Sequence, residues 1–419
     1  MLQKVLSEKI PLWQEEIESL LKKDGSAKIG EVSVSQVYGG MRGVKGLICD
    51  TSSVSADKGL IIRGRPVSEL THLIPEEAFY LLLTGETPGE KELSDLQGQL
   101  KDHQEVPSYV WSVLESLPKG SHPMTMLSVA VQSMRSESDF VDKYNAGMPK
   151  SDYWKSALED GIRLVATLPE IAAGIYRIRI GAKNKINPNN DLDWAGNFAH
   201  MLGIQGEDFK KLMRLFLTLH CDHEGGNVSA FSSLTVASAL SSPFLAVVAG
   251  FNGLAGPLHG LANQENLKFI LEIHDHFGRS PSKDELKEYC WDRLTQNRVI
   301  PGYGHAVLRC PDPRFTALMD FGKNHIKDDE IFNIVKSLFE VVPTVLEDHG
   351  KAKSPWPNVD AASGSLLYYY GLKEFNYYTV LFSLSRVMGI ISQIVINRAV
   401  GIPIMRPKSV TTDWIKNSL

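Results

Sequence analysis

Residues 375–404 read FNYYTVLFSLSRVMGIISQIVINRAVGIPI, and their only charged side chains are Arg386 and Arg398. A bilayer span needs ~20 apolar residues, so a membrane crossing must be weighed. An arginine in mid-stretch, with Asn376, Gln393 and Asn397 around it, argues against lipid and for a helix at the centre of a helical protein. An arginine there is costly unless an anion meets it. No acid lies within a turn or two of Arg386. Its partner is therefore distant in sequence, or is a ligand.

Working outward, residues 225–264 contain no Asp, Glu, Lys or Arg, and Pro243, Gly250, Gly253 and Gly256 break them. Small residues on uncharged helices suit close packing in a buried centre or a large subunit interface. Most of the remaining chain has 3.6-residue periodicity, opened by Pro, Ser, Thr or Asp and closed by Gly. This predicts helices over 75–84, 107–117, 123–135, 151–179, 206–222, 258–277, 283–296 and 329–347. A weak alternating pattern predicts strand in 30–37 and 47–64. The fold class expected is all-α with minor short N-terminal strands.

The chain has 419 residues, a soft prior of two or three domains, with 43% apolar and 22% charged residues. A net charge of −5 gives no reason to expect nucleic acid or an anionic membrane. Anionic ligands would need a local group of arginines or lysines. Four scattered cysteines form no disulfide framework, which points to a reducing compartment. The acids of residues 1–22 do not suit a signal or transit peptide. The expected location is a bacterial cytoplasm, or the mitochondrial matrix for a processed form.

Five stretches carry chemistry. In HCDHEGGN, 220–227, His220, Cys221 and His223 are open to three readings: a metal site, a satisfied histidine at a helix end, or a ligand-binding histidine. HExxH is absent and no second ligand pair has metal-like spacing, so no metal is expected. In NGLAGPLHG, 252–260, glycines allow close backbone approach and His259 heads a new helix. The dipole there favours a neutral imidazole, which can donate to a developing oxyanion. In VIPGYGHAVLR, 299–309, a glycine loop carries His305, with Arg309 and Arg314 after it; guanidinium groups there suit a carboxylate or phosphate. Asp360, after KSPWPNV, is either a helix N-cap or a catalytic base. Arg386 is the fifth, with Arg406 in a basic group shortly after its helix.

HCDHEGGNVSA, NGLAGPLHGLANQE, VIPGYGHAVLR followed by DPR, KSPWPNVDAASG, NYYTVLFSLSR and RPKS occur in that order, and together they resemble the citrate synthase family over nearly the whole chain. VYGGMRGVKGL and HPMTMLSVAVQSM match too. The chain is similar to the dimeric, mitochondrial-like type. The resemblance implies a large domain, 1–260 with 372–419, and a smaller inserted CoA-side domain, 261–371, with the active site between them. It implies condensation of acetyl-CoA with oxaloacetate, then hydrolysis of citryl-CoA. Asp360 would be the base, His259 the partner of the thioester oxygen, and His305 the group polarising the ketone. Oxaloacetate would be held by His223, Arg314, Arg386 and, from the second subunit of a homodimer, Arg406. CoA would meet Val299, Gly302, Tyr303, Gly304, Arg309, Lys351, Lys353 and Asn358, with Arg42 and Lys150 reaching from the other subunit. No cofactor is implied beyond acetyl-CoA as substrate.

Small departures from the family pattern are Ala362, Cys221 and Lys150; the first two touch no proposed catalytic role, whereas arginine would have been the expected residue at 150. The nearest rival is 2-methylcitrate synthase, which differs by one methylene in the acyl pocket, worth only ~1–3 kcal/mol. A metal hydrolase on His220, Cys221 and His223, and a helical interaction protein with a dead site, are rivals of other classes.

Overall fold

The computed structural model describes residues 1–304 and 307–419. Nearly all regular structure is helical; the described residues form one three-stranded antiparallel sheet, from Ser52–Ser55, Gly59–Ile62 and Arg65–Pro66. The helix Pro75–Thr84 matches its expected span, with Pro75 in the first turn and Gly85 closing it at φ 81°. Others end within a few residues of expectation, such as Tyr153–Arg179 and Lys283–Thr295.

Two expectations fail. Val34–Tyr38 is a short helix, not a strand. Ser33 and Gln36 form a reciprocal capping box that satisfies the first turn, and this local bonding outweighs the β-branched residues. The second failure concerns His259. The helix there begins at Ala262, and Pro257–His259 lie in the turn before it.

The helix Tyr378–Ala399 is the axis of the molecule. Its apolar window is 94% buried by the rest of the chain, which accounts for its composition without lipid. Tyr153–Arg179, Pro75–Thr84, Pro243–Leu254 and Glu207–Leu219 pack around it. Close approach depends on glycine: a Cβ at Gly161 would lie 2.3 Å from Ile391 Cγ2. The uncharged segment folds as Val228–Ser238 against Pro243–Leu254, and a Cβ on Gly250 would strike Ser233 Oγ at 2.2 Å. Beyond it, Ala262–Phe277, Lys283–Thr295, Pro313–His325, Glu330–His349 and Asp360–Tyr369 pack largely on one another.

The tightest contact places the site. The Gly389 amide donates to Cys221 O at 3.0 Å. A Cβ on Gly389 would meet Asp222 Oδ1 at 2.3 Å and Cys221 O at 2.6 Å. Gly389→Ala should therefore destabilise the protein by about 1–3 kcal/mol, the usual range for overpacking. Gly98→Ala, in the helix Glu90–Asp102 with nothing within 4 Å of its new Cβ, should instead stabilise by about 0.4–1 kcal/mol. Urea denaturation of both variants checks the contrast; equal midpoints would refute it.

Candidate active site

Asp222 is fully buried at the end of the turn that follows helix Glu207–Leu219. Its carboxylate accepts from Thr51 Oγ1 at 2.5 Å, Ser52 Oγ at 2.8 Å and Gln393 Nε2 at 2.8 Å. The first strand and the central helix are thereby tied to the turn carrying His220 and His223. Glu224 extends the tie, accepting from the Val54 amide while its own amide donates to Ser52 Oγ.

Of the three readings of 220–223, His220 takes the structural one. It is buried, stacked on Phe216 at 4.2 Å, with Nδ1 at 2.7 Å from Phe216 O. Burial and nearby Arg314 hold its pKa down at about 3. Cys221 is also buried, its thiol pushed up to about 12. His223 is half-buried, and close enough to Asp312 for its charge to be felt there. Among the described residues no group of three or more His, Cys, Asp or Glu is placed to hold a metal ion.

Arg386 is buried where the central helix passes this turn. Its Nε donates to His220 O at 3.2 Å, and the guanidinium lies 4.8 Å over the Phe382 ring. The acid whose charge acts most on it is Asp222, distant in sequence, yet among the described residues the two form no ion pair. Burial lowers the Arg386 pKa to about 10. A buried cation without a direct ion pair is a strong anion receptor.

His259 is half-buried, with its ring edge-on to Phe382 at 6.4 Å. Its Nε2 accepts from the Ser229 amide at 3.2 Å and lies 2.9 Å from Ser229 Oγ. Ser229 is at the second position of helix Val228–Ser238, where backbone N–H groups lack intrahelical partners. A helix N-terminus does act on this imidazole, but it is that of Val228–Ser238, two helices earlier in the chain than its own. The backbone donor assigns the lone pair to Nε2 and the proton to Nδ1. Burial and Arg386 lower the His259 pKa to about 4, so the ring is neutral. Gly260 locks the turn: its carbonyl accepts from Thr379 Oγ1, and a Cβ there would lie 2.1 Å from Leu254 O.

Asp360 is the first residue of helix Asp360–Tyr369; Val359 holds the N-cap position, so the capping reading of Asp360 fails. Its amide donates to Asn358 Oδ1 at 3.0 Å. Burial pushes its carboxyl up to about 6, while Arg314 pulls it down and Asp312 pushes it up. Arg314 is forked onto Asp312, with Nε to Oδ1 at 3.1 Å and Nη2 to Oδ2 at 2.8 Å. Asp312 in turn caps helix Pro313–His325, and its amide donates to Pro357 O.

The glycine loop docks onto the same segment. Gly302 O accepts from the Asn358 amide at 2.9 Å, and the Gly304 amide donates to Trp356 O at 3.3 Å. At φ 82°, Gly302 passes so close to Asn266 Nδ2 and Ala361 that a Cβ would sit within 3.0 Å of both. Tyr303 bridges to Pro357. His305 lies outside the described residues. Arg309 is exposed, its amide bonded to Ala56 O at 2.7 Å and its Nη1 to Val307 O and Leu308 O. Val299, Lys351 and Lys353 are also exposed, on the rim of this loop pair.

The structure thus brings Asp360, Arg314, His223, Arg386 and His259 into one electrostatically connected centre. It does not bring in Arg42, Lys150 or Arg406. All three are exposed, and among the described residues no hydrogen bond or ion pair links them to that centre. Sequence reading missed Ser229, Asp312, Asp222 and Phe382. Phe382 was within reach, one helical turn before Arg386 and hence on its face. Asp312 had a signal as well: it precedes a proline at a helix start.

A raised carboxylate, a neutral imidazole and arginines around one polar centre define a class: a helical enzyme acting on an anionic carbon acid. A family model described as citrate synthase, C-terminal domain, matches residues 40–408. The mitochondrial citrate synthase of Saccharomyces cerevisiae is 47% identical over 98% of this chain and 88% of its own. The peroxisomal citrate synthase of the same yeast is 46% identical over 98% and 91%. Among solved structures, citrate synthase from Pyrobaculum aerophilum superposes with a TM-score of 0.80 at 28% identity, covering 92% of this chain and 95% of that one. The chain belongs to the citrate synthase family. It is an acyltransferase that condenses acetyl-CoA with oxaloacetate to give citrate, the acyl group becoming alkyl on transfer.

Because burial raises the Asp360 carboxyl and Arg314 opposes it, ¹³C-detected titration should find Asp360 near a pKa of about 6. Arg314→Gln should move it higher, since the variant loses the cation and leaves Asp312 unpaired. A value that stays put or falls would show that Arg314 does not set the charge of Asp360.

Proposed function

We propose that Asp360 is the base that takes a methyl proton from acetyl-CoA. A carboxylate raised towards neutrality is a stronger base than an ordinary one, yet remains mostly ionised at neutral pH. The Nδ1–H of His259 donates to the thioester oxygen as the enol or enolate forms. The observation that carries this reading is the Ser229 amide on Nε2 of His259, which leaves the opposite nitrogen as the donor. Because the ring is already neutral, it stabilises an oxyanion by hydrogen bonding without a proton having to leave the site first. His305 is assigned the ketone carbonyl of oxaloacetate by the family motif alone.

Oxaloacetate brings two carboxylates to a centre that holds Arg386 without an ion pair and Arg314 with one side of its fork committed to Asp312. His223 completes the set. CoA is assigned to the rim formed by Val299, Gly302, Tyr303, Gly304, Arg309, Lys351, Lys353 and Asn358. The segment 261–371 would move as the smaller domain and close this rim on the large one. No cofactor is required by the proposed steps, with acetyl-CoA acting as substrate. The citrate synthase names of the relatives support acetyl-CoA over propionyl-CoA. Four free thiols and relatives named as mitochondrial and peroxisomal support a reducing organelle or cytoplasm.

The working unit in this reading is a homodimer with shared sites. Ile29, Val32, Tyr38 and Ile48 near one end, and Ile404 and Trp414 near the other, are all more than half exposed, an apolar surface unusual for a monomer. Tyr38 Oη and Thr412 Oγ1, 2.7 Å apart, tie these two arms together. Arg406 lies on the second arm, directed to the neighbouring subunit's site; Arg42 and Lys150 would reach the neighbour's CoA in the same way.

Asp360→Asn keeps shape and removes the base. Its kcat should fall by roughly 10²–10⁴-fold with little change in oxaloacetate affinity. Retention of a tenth of wild-type turnover would take Asp360 out of the role. The shared site has its own test, in which inactive Arg386→Ala and Arg406→Ala dimers exchange subunits. A mixed dimer holds one doubly lesioned site and one intact site. Activity should return to about a quarter of wild type, since about half of randomly exchanged dimers are mixed. A silent mixture, with mixed dimers confirmed by mass spectrometry, would place both arginines in one chain's site.

A further inference from the structure

Away from the active-site residues, a cavity of about 200 Å³ opens between the helices Pro75–Thr84, Tyr153–Arg179 and Trp194–Leu202. Its floor is buried and includes Glu76, Pro169, Trp194 and Met201, while Lys101 and Asp191 stand exposed at its rim. Glu76 is only 2% exposed. Its Oε1 accepts from the Trp194 amide at 2.9 Å and from Gln97 Nε2 at 3.3 Å. Its Oε2 is buried and, among the described residues, accepts no hydrogen bond.

A buried carboxylate oxygen without a donor is costly, and the neighbouring cations are engaged elsewhere. Arg214 is bound to Asp193 at 2.7 Å and to Glu207 at 3.1 Å. Lys185 is bound to Glu170 at 3.1 Å. Lys101 forms no ion pair with Glu76. Next to the orphan oxygen, Leu100, Pro169 and Met201 give the cavity an apolar wall. An engineered apolar cavity of ~150 Å³ holds a benzene ring, so this one has room for a small organic molecule.

We propose that this cavity binds a small primary alkylammonium ion, its N–H groups donating to Glu76 Oε2 and its alkyl chain lying on Leu100, Pro169 and Met201. The chemistry disfavours anions, because Glu76 and Asp191 face the cavity against Lys101, while Asp193 and Glu170 are already neutralised by Arg214 and Lys185. It disfavours a divalent metal, since among the described residues no metal-like cluster forms there.

The state of Glu76 makes the binding testable by pH. Burial, together with the charge of Asp193, pushes its carboxyl up to about 7. Above that pH the carboxylate is present and the cation is attracted; below it, the protonated acid must be ionised before the ion pair can form. An alkylammonium stays charged throughout, with an ordinary pKa of about 10.4.

The experiment is calorimetric titration of the full-length protein with n-butylammonium chloride at constant ionic strength, with n-butanol as the neutral isostere. Affinity should be about tenfold weaker about one pH unit below the Glu76 pKa than one unit above it, following the ionised fraction. Glu76→Gln, which keeps the acceptor for the Trp194 amide, should weaken binding by about tenfold or more, the loss of a charge-assisted hydrogen bond. Butanol should bind more weakly than the ammonium at the higher pH. Absence of saturable butylammonium binding would overturn the proposal. So would equal affinity for butanol, or affinity independent of pH; these wild-type comparisons decide the matter even if Glu76→Gln fails to fold.

Discussion

The carboxylate of Asp222 is the constraint on which the site depends. Buried without a direct ion pair, it is held by three donors drawn from the first strand and the central helix. Any one of them leaving would take a charge-assisted hydrogen bond from a buried carboxylate, at a cost of about 1.5–3 kcal/mol. Those donors therefore fix the turn of 220–223 against residue 389, where only hydrogen on the α-carbon leaves room for Asp222. The same contact sets Arg386 beside the His220 carbonyl and turns His223 towards Asp312. The arrangement of the charged centre is thus a consequence of how one internal acid is satisfied.

The charges of the centre act on one another in opposite senses, and this gives each group its state. Arg386 depresses His259, already depressed by burial, and keeps the imidazole neutral. Arg314 restrains the rise of Asp360, so that the carboxyl is not pushed far enough to stay protonated at neutral pH. Asp312 moderates Arg314 by occupying two of its donors. A neutral imidazole and an ionised carboxylate coexist because the two arginines are placed unequally towards them. The site shows pKa tuning by burial and fixed charge.

Sequence was informative wherever physics is local. Pro75 and Gly85 bracketed a helix to the residue, and the run of 375–404, charged only at Arg386 and Arg398, showed that the helix Tyr378–Ala399 would be buried. Arg386 without a nearby acid raised the expectation of an anion distant in sequence or a ligand, and the structure sets Asp222 near it without an ion pair. Sequence misled at 30–37, where a four-residue capping box overrode β-branched residues. It also placed His259 on its own helix rather than against the start of Val228–Ser238. The imidazole's true donor, the Ser229 amide, is thirty residues away and belongs to the backbone, which carries no side-chain signal.

By itself the sequence determined the fold class, the buried central helix and the family, because apolar periodicity, turn residues and ordered motifs are written along the chain. Tertiary structure decided which nitrogen of His259 carries the proton, how Arg386 bears on that ring, and how far Asp360 is raised. These depend on distances between segments up to a hundred or more residues apart, and on water excluded by side chains from several helices at once. Charge state is a property of that shared environment, so no window of sequence contains it.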